Sequence, residues 1–219
     1  MPRLEPLGVF GGTFDPVHSG HLRLAEEARK GLALEGVRWI PAGQPPHRDR
    51  PGVGAVHRLA MVRLAVTGNP AFSVDASEVE AERPSYTVPT LERLRDELGR
   101  ERPLVLLLGA DAFGGLPTWH RWTTLFELAH VAVSHRPGYP VEPDGLPPAL
   151  AEVFARRRLA SPDGLGQAPG GGIVTFAMTQ LAISATQIRG IVARGASPRY
   201  LLPDALVDYI QRHHLYQSA

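Results

Sequence analysis

Residues 7–21, LGVFGGTFDPVHSGH, contain a short apolar run, a glycine-rich turn and the polar start of a helical pattern. Leu7 to Phe10 is predicted to form a buried strand, and a helix is predicted from Gly20 to Leu32. Because Gly11 and Gly12 carry no side chain, the backbone there can approach a ligand closely. The stretch therefore predicts a strand, a ligand-binding turn and a helix in succession.

The same alternation of apolar runs and helical patterns continues along the chain. Further strands are predicted at residues 37–40, 72–75, 104–108, 131–134 and 173–176, and further helices at 58–66, 90–98, 122–130, 150–158, 185–194 and 203–213. This order predicts an α/β fold, a Rossmann-like doubly wound parallel sheet with helices on both faces and a small C-terminal helical extension. We expect one domain over 1–219, with a core at 1–182, a variable surface excursion near 142–172 and the C-terminal helices at 183–219.

Composition excludes several classes of function. The 219 residues include no cysteine, which rules out disulfides, thiolate metal sites and cysteine nucleophiles. The formal net charge of +1 creates no overall electrostatic attraction to nucleic acid or to an anionic membrane surface. The longest apolar run, Leu104 to Leu108, is far too short to span a bilayer. We expect a cytoplasmic protein without nucleic-acid or membrane partners; its oligomeric state, a homo-oligomer included, stays open.

Polar clusters come directly after the predicted strands. They lie at residues 11–21, 41–48, 109–120 and 135–139, and another follows at 184–189. Open α/β sheets bind ligands at the carboxyl edge of their strands, where helix N-termini point free N–H groups into a crevice. The placement of the five clusters therefore predicts one ligand site at that edge.

The first cluster contains two histidines three residues apart, His18 and His21, near the start of the predicted helix. There both imidazoles can face one bound phosphate, beside the positive end of the helix dipole. Two alternatives are capping histidines and half of a zinc site, although the chain has no HExxH pattern. No GxxxxGK[ST] sequence is present, which disfavours phosphate chemistry of the P-loop kind.

A second polar segment, ISATQIR at 183–189, has the form of a capped helix start. Ser184 with Gln187 three residues later has the form of a capping box. The segment brings two hydroxyls, of Ser184 and Thr186, together with the Arg189 guanidinium. Capping boxes are common, so only the combination with the histidine loop makes the segment informative.

GGTFDPVHSGH and ISATQIR together resemble the two signatures of the HxGH nucleotidyltransferase superfamily, whose fold is similar to class I aminoacyl-tRNA synthetase cores. Further motifs look like those of bacterial nicotinate-nucleotide adenylyltransferases of the NadD type: PPHR at 45–48, PSYT at 84–87, GAD at 109–111, PTW at 117–119 and RPGY at 136–139. The resemblance covers nearly the whole chain apart from about 142–172.

The resemblance implies roles for individual residues. His18, His21 and Arg189 would be catalytic and contact the ATP phosphates; the ATP site would also include Gly11, Gly12, Thr13, Phe14, Gly109, Asp111, Ser184 and Thr186. The mononucleotide site would consist of His47, Arg48, Thr87, Trp119, His120 and Arg136. In that site His47, Arg48 and Arg136 would hold the phosphate, Trp119 would stack on the pyridine ring, and the backbone N–H groups of Thr87 and His120 would bind the carboxylate. A tryptophan beside a Pro-Thr turn is more often packed core, and that alternative stays open.

The implied reaction transfers AMP from ATP to nicotinate mononucleotide, giving deamido-NAD and pyrophosphate in NAD biosynthesis. Its nucleophile is a phosphate that is already ionised at neutral pH, so no general base is needed. We expect Mg²⁺ to be bound through the ATP oxygens, with no protein metal ligand. The alternatives are another acceptor, nicotinamide mononucleotide or phosphopantetheine, and a nucleotide-binding regulator without catalysis.

Overall fold

The computed structural model describes residues 5–45, 51–81 and 83–217. In this part of the chain, six strands form one sheet: β1 (Leu7–Gly12), β2 (Gly36–Pro41), β3 (Phe72–Val74), β4 (Leu104–Gly109), β5 (His130–His135) and β6 (Ile173–Ala177). Their order in the sheet is β3-β2-β1-β4-β5-β6. The pairs β1/β4, β4/β5 and β5/β6 are parallel. This is the strand order of the doubly wound Rossmann fold, so the predicted fold class is confirmed.

Each predicted strand is present, and its bounds differ by at most two residues from the prediction. In β4, five consecutive residues, Leu104 to Leu108, are buried. A strand covered on both faces needs such a continuous apolar run.

The helices of the described residues are α1 (Ser19–Gly31), α2 (Ala55–Val66), α3 (Ser77–Glu80), α4 (Thr87–Leu98), α5 (Ala110–Gly114), α6 (Leu125–Leu128), α7 (Pro148–Arg157), α8 (Ala185–Ala193) and α9 (Asp204–Arg212). Three differ clearly from prediction. α2 begins at Ala55, three residues earlier than predicted. α4 begins at Thr87, three residues earlier than predicted, with Pro89 in its first turn. The predicted helix 122–130 divides into a 3₁₀ turn, Trp122–Thr124, the short α6, and the first residue of β5. Among the described residues no helix combines the length and apolarity that crossing a bilayer requires.

The chain divides into two compact units. The first unit consists of Met1–Phe10, Leu24–Arg38 and Tyr86–Thr179, and the second of Gly11–Arg23, Trp39–Ser85 and Gln180–Ala219. The expected single domain over 1–219 stays a prediction.

The first unit contains residues 142–172, predicted as a surface excursion. Three side chains of this segment, Leu150, Phe154 and Leu165, are fully buried, while most of its other residues are exposed or half-buried. The Phe154 ring meets the buried Phe113 edge to face, with ring centroids 5.9 Å apart. The segment therefore contributes to the core of this unit.

The second unit is built around Trp39, which is fully buried at the end of β2. Its ring packs against Phe14, at 5.4 Å between centroids, and against Phe72, at 5.6 Å. Since Phe14 belongs to the turn after β1, this packing fixes the base of the predicted phosphate loop.

Candidate active site

The turn between β1 and α1 carries the first motif and lies in the second unit. Phe14 is buried in a left-handed backbone conformation, with φ of 48°. A Cβ atom on Gly12 would lie 2.9 Å from the Phe14 ring, so only glycine fits there. The turn is therefore folded tightly over its own phenylalanine, and the predicted polar residues follow it at the start of α1.

His18 and His21 form a stacked pair at the start of α1. Their ring centroids are 3.8 Å apart and their planes differ by 34°. The backbone N–H of His18 donates to Nδ1 of His21, at 3.3 Å. Because Nδ1 accepts this bond, a neutral His21 carries its proton on Nε2, which is then a donor for an anionic ligand.

His18 is buried, with an exposed fraction of 6%. Burial lowers its pKa from 6.5 to about 4, so the imidazole is neutral at pH 7. Its Nδ1 has no hydrogen-bond partner among the described residues. A buried polar atom without a partner is costly, and a bound phosphate would relieve that cost once the ring is protonated.

Gly20, between the two histidines, is required by the pair itself. A Cβ atom at Gly20 would lie 3.1 Å from Cε1 and Nδ1 of His18 and 3.8 Å from the carbonyl of Ile183. Glycine therefore leaves room for the His18 ring, whereas a Cβ atom would be in ordinary contact with the Ile183 carbonyl.

The second motif begins α8, as predicted. Ser184 is the N-cap residue, and its Oγ accepts a hydrogen bond from the backbone N–H of Gln187 at 3.1 Å. Arg189 Nη2 donates to Thr186 Oγ1 at 3.2 Å, and Arg189 Nη1 donates to the main-chain carbonyl of Asp15 at 2.8 Å. The two motifs are thus in direct contact within the second unit.

Three residues beside these motifs were not singled out from the sequence. The Asp15 carboxylate accepts one hydrogen bond from the Tyr216 hydroxyl, at 2.8 Å, and another from the Gly52 backbone N–H, at 2.7 Å. Asp15 stands inside the quoted motif and so could have been noticed. Tyr216 and Gly52 lie in no pattern, and only the folded chain brings them to this site.

Arg58 is a fourth residue that was not singled out from the sequence. It is 1% exposed, and its guanidinium donates to the carbonyls of Thr13, at 2.7 Å, and Gly43, at 2.9 Å. Burial lowers its pKa, and the negative charge of the Asp15 carboxylate opposes that shift. Arg58 shares the buried face of α2 with Leu59 and Met61. A charged residue at a helical position that faces the core could have indicated from the sequence that Arg58 has a special role.

The first unit contains four of the predicted mononucleotide residues: Thr87, Trp119, His120 and Arg136. Thr87 is the first residue of α4, where backbone N–H groups lack partners within the helix. Trp119 is half-buried directly after a 3₁₀ turn, Leu116–Thr118, and His120 is exposed. The His120 ring packs on Tyr86, the residue before Thr87, with 4.7 Å between centroids. Thr87 and His120 are therefore brought together through Tyr86.

Gly109, Asp111 and Arg136 follow two paired strands of the first unit. Gly109 ends β4 and precedes α5, whose first turn contains the exposed Asp111. Arg136 is exposed and follows β5 directly. Since Gly109 is in register with Ser134 of β5, these residues share the carboxyl edge of the two strands. His47 and Arg48 lie outside the described residues.

Comparison with known proteins gives the family. A family model described as cytidylyltransferase-like matches residues 9–191, which include both motifs. The chain belongs to the cytidylyltransferase-like family. As a member of it, the chain is a nucleotidyltransferase. The two motifs of the second unit are the predicted phosphate site.

Two relatives of this cytidylyltransferase-like chain match it over nearly its full length. It is 68% identical to a probable nicotinate-nucleotide adenylyltransferase of Dechloromonas aromatica, over 98% of this chain and 99% of the relative. It is 50% identical to a protein of the same description from Pseudomonas paraeruginosa, over 97% of each chain.

Among solved structures, the nicotinic acid mononucleotide adenylyltransferase of Plasmodium falciparum complexed with NaAD is similar, with a TM-score of 0.71 at 13% identity and 97% coverage of each chain. A nicotinate-nucleotide adenylyltransferase structure from Vibrio parahaemolyticus gives a TM-score of 0.63, also at 13% identity, over 99% of this chain and 98% of that one. At this identity the likeness concerns the fold.

Proposed function

We propose that the protein is a nicotinate-nucleotide adenylyltransferase that transfers AMP from ATP to nicotinate mononucleotide in NAD biosynthesis. The observation that carries the proposal is the contact between the two motifs, in which Arg189 donates to the backbone of Asp15, three residues before His18. The names of the two full-length relatives support the same substrates.

In the proposed reaction, an oxygen of the mononucleotide phosphate attacks the α-phosphorus of ATP. The new P–O bond forms as the bond to the β-phosphate oxygen breaks, and the electron pair leaves with pyrophosphate. No proton has to be removed from the nucleophile, because the phosphate is ionised at neutral pH. The protein's task is to hold the two anions in line and to stabilise charge on the α-phosphate and on pyrophosphate.

We assign the triphosphate to the second unit. His21 donates a hydrogen bond from Nε2. The bound triphosphate favours the protonated form of His18, which then donates as well. Arg189 supplies a permanent positive charge. The hydroxyls of Ser184 and Thr186 and the turn from Gly11 to Phe14 complete that part of the ATP site. Arg58 stabilises this turn by donating a hydrogen bond to the carbonyl of Thr13.

We assign recognition of the pyridine to the first unit. Trp119 stacks on the ring, and the N–H groups of Thr87 and His120 receive the nicotinate carboxylate at the positive end of α4. Arg136, with His47 and Arg48, holds the mononucleotide phosphate. Gly109 and Asp111 belong to the nucleotide site.

We propose that a magnesium ion arrives with the nucleotide, bound to the ATP oxygens. In residues 5–45, 51–81 and 83–217 no group of three or more His, Cys, Asp or Glu side chains could hold a metal ion. The Asp15 carboxylate already accepts two hydrogen bonds within the protein. Magnesium keeps several waters and binds substrate phosphates, where it would neutralise charge on the triphosphate. We propose no protein ligand for it.

The test is a panel of donors and acceptors with purified protein and Mg²⁺. ATP and CTP are each combined with nicotinate mononucleotide, nicotinamide mononucleotide or phosphopantetheine, and pyrophosphate release is measured. We expect the fastest release with ATP and nicotinate mononucleotide, together with deamido-NAD as the second product. Nicotinate riboside, which lacks the attacking phosphate, is the matched control and should give no pyrophosphate. A faster reaction with another pair would reassign the substrates, and ATP binding without any turnover would favour a regulator.

A further inference from the structure

The Asp15 carboxylate has three neighbours, from three separate segments of the second unit. Its Oδ1 accepts from the Tyr216 hydroxyl at 2.8 Å, and its Oδ2 accepts from the Gly52 N–H at 2.7 Å. The Arg189 Nη1 atom lies 3.7 Å from Oδ2, so the two groups already form an ion pair, although this distance is too long for a hydrogen bond. The carboxylate is thus bonded to two neutral donors although a guanidinium is within reach.

The guanidinium of Arg189 is bonded elsewhere. Its Nη1 donates to the Asp15 main-chain carbonyl, and its Nη2 donates to Thr186. An arginine and a carboxylate at this separation can form a bidentate pair after a small rotation of either side chain. Such a pair would neutralise the charge that Arg189 offers to phosphate.

The hydrogen bonds from Tyr216 and Gly52 to the Asp15 carboxylate oppose that rotation, because it would break them. A Cβ atom on Gly52 would lie 3.3 Å from Tyr216 Cε1, 3.3 Å from Arg189 Cδ and 3.4 Å from Asp15 Oδ2, so the three side chains enclose this glycine. Asp15 is 7% exposed, which leaves little room for water to replace a lost donor. Burial and the neighbouring carboxylate raise the pKa of Tyr216, so its hydroxyl keeps its proton and remains a donor.

We propose that Tyr216 is a positioning residue of the nucleotide site: its hydroxyl keeps the Asp15 carboxylate from forming a bidentate pair with Arg189, so the guanidinium remains available to the triphosphate. The proposal rests on the proposed role of Arg189 in ATP binding. It gives the end of the chain, beyond α9, a direct effect on the first motif. Without the hydroxyl, Asp15 Oδ1 loses its donor and the carboxylate turns to Arg189.

The test measures ATP binding by calorimetry with Mg²⁺ and without any acceptor. Tyr216→Phe removes only the hydroxyl and should weaken ATP binding about tenfold. Tyr209→Phe is the matched control, because Tyr209 lies in α9 and its hydroxyl pairs with His57 Nδ1 at 3.0 Å. We expect this control to bind ATP like the wild-type protein.

A double-mutant cycle with Asp15→Asn identifies the mechanism. The neutral amide that this substitution introduces cannot form an ion pair with Arg189, so adding Tyr216→Phe to Asp15→Asn should change the ATP dissociation constant less than about twofold. Unchanged binding in Tyr216→Phe alone, or equal losses in both backgrounds, would overturn the proposal. Because no acceptor is present, these results are independent of which mononucleotide the enzyme uses. If wild-type protein does not bind ATP, the proposed function fails instead.

Discussion

Arg189 of α8 donates a hydrogen bond to the main-chain carbonyl of Asp15, across 174 positions of sequence. This bond joins two motifs that sequence alone could place side by side only by inference. It fixes the guanidinium at the loop that contains His18 and His21, and so defines the cation set that we assign to the triphosphate.

Replacing Arg189 should damage catalysis strongly. Arg189→Ala removes a charged donor from the proposed transition state, and we expect kcat/KM to fall about a hundredfold or more. Arg189→Lys keeps the charge but cannot hold both Asp15 and Thr186, so an intermediate loss is expected. Steady-state pyrophosphate release measures both. Arg194→Ala, an exposed arginine at the end of the same helix, is the control and should retain full activity.

Gly20→Ala should reduce activity while leaving the helix intact. The added Cβ would lie 3.1 Å from the His18 ring and displace it. Alanine is favoured over glycine in a helix, by about 1 kcal/mol in the interior, so α1 itself should not be weakened. Gly31→Ala, at the other end of α1, meets no atom within 4 Å and is the matched control. Comparable activity of the two variants would show that His18 is not confined by this contact.

His18 makes folding stability depend on pH. Its pKa is about 4 in the folded protein, against an ordinary value of 6.5 for a solvated histidine. The unfolded chain therefore binds more protons between these values, and stability is lost as pH falls from 6.5 toward 4. Between pH 7 and 5 the loss from this group is about 2 kcal/mol. Urea unfolding at both pH values should show that His18→Asn removes this part of the loss; an identical pH dependence in the two proteins would contradict the assignment.

Trp119→Ala should affect the mononucleotide rather than ATP. Loss of the stacking face should raise the KM for nicotinate mononucleotide about tenfold and leave the KM for ATP within about twofold. Trp119→Phe keeps an aromatic face and should lie close to the wild-type protein. If Trp119 is only packed core, both Michaelis constants should change together, and the melting temperature should fall.

The strand pattern of this chain was predictable because the β-branched and aliphatic runs coincide with buried, parallel strands. The predicted helix boundaries were wrong where tertiary contacts or a proline determine where the helix begins or ends. The helix predicted from residue 90 begins at Thr87, because Pro89, just before the predicted start, is tolerated in the first turn of α4. His130 was placed in a helix, yet its ring bonds the Gly172 N–H and the Ala168 carbonyl, which helps to hold it at the start of β5.

The site was predictable only where sequence motifs carry it. His18, His21, Ser184 and Arg189 stand in two short signatures, and the structure brings these signatures into contact. Tyr216 is 201 positions from Asp15, and nothing in the local sequence marks it. The position of His18 at a helix start favours a lowered pKa, because the helix dipole disfavours imidazolium, but the structure attributes the low pKa to burial. Burial depends on the fold, so the sequence could indicate the direction but not this cause.

A crystal structure of the protein with Mg²⁺ and an ATP analogue that cannot be cleaved between the α- and β-phosphates would test whether both motifs bind one triphosphate. We predict that His18, His21 and Arg189 each contact oxygens of the same triphosphate, with Arg189 still bonded to the Asp15 carbonyl. A triphosphate bound away from the histidine pair, or an Arg189 side chain directed away from the triphosphate, would show that the two motifs do not form one phosphate site.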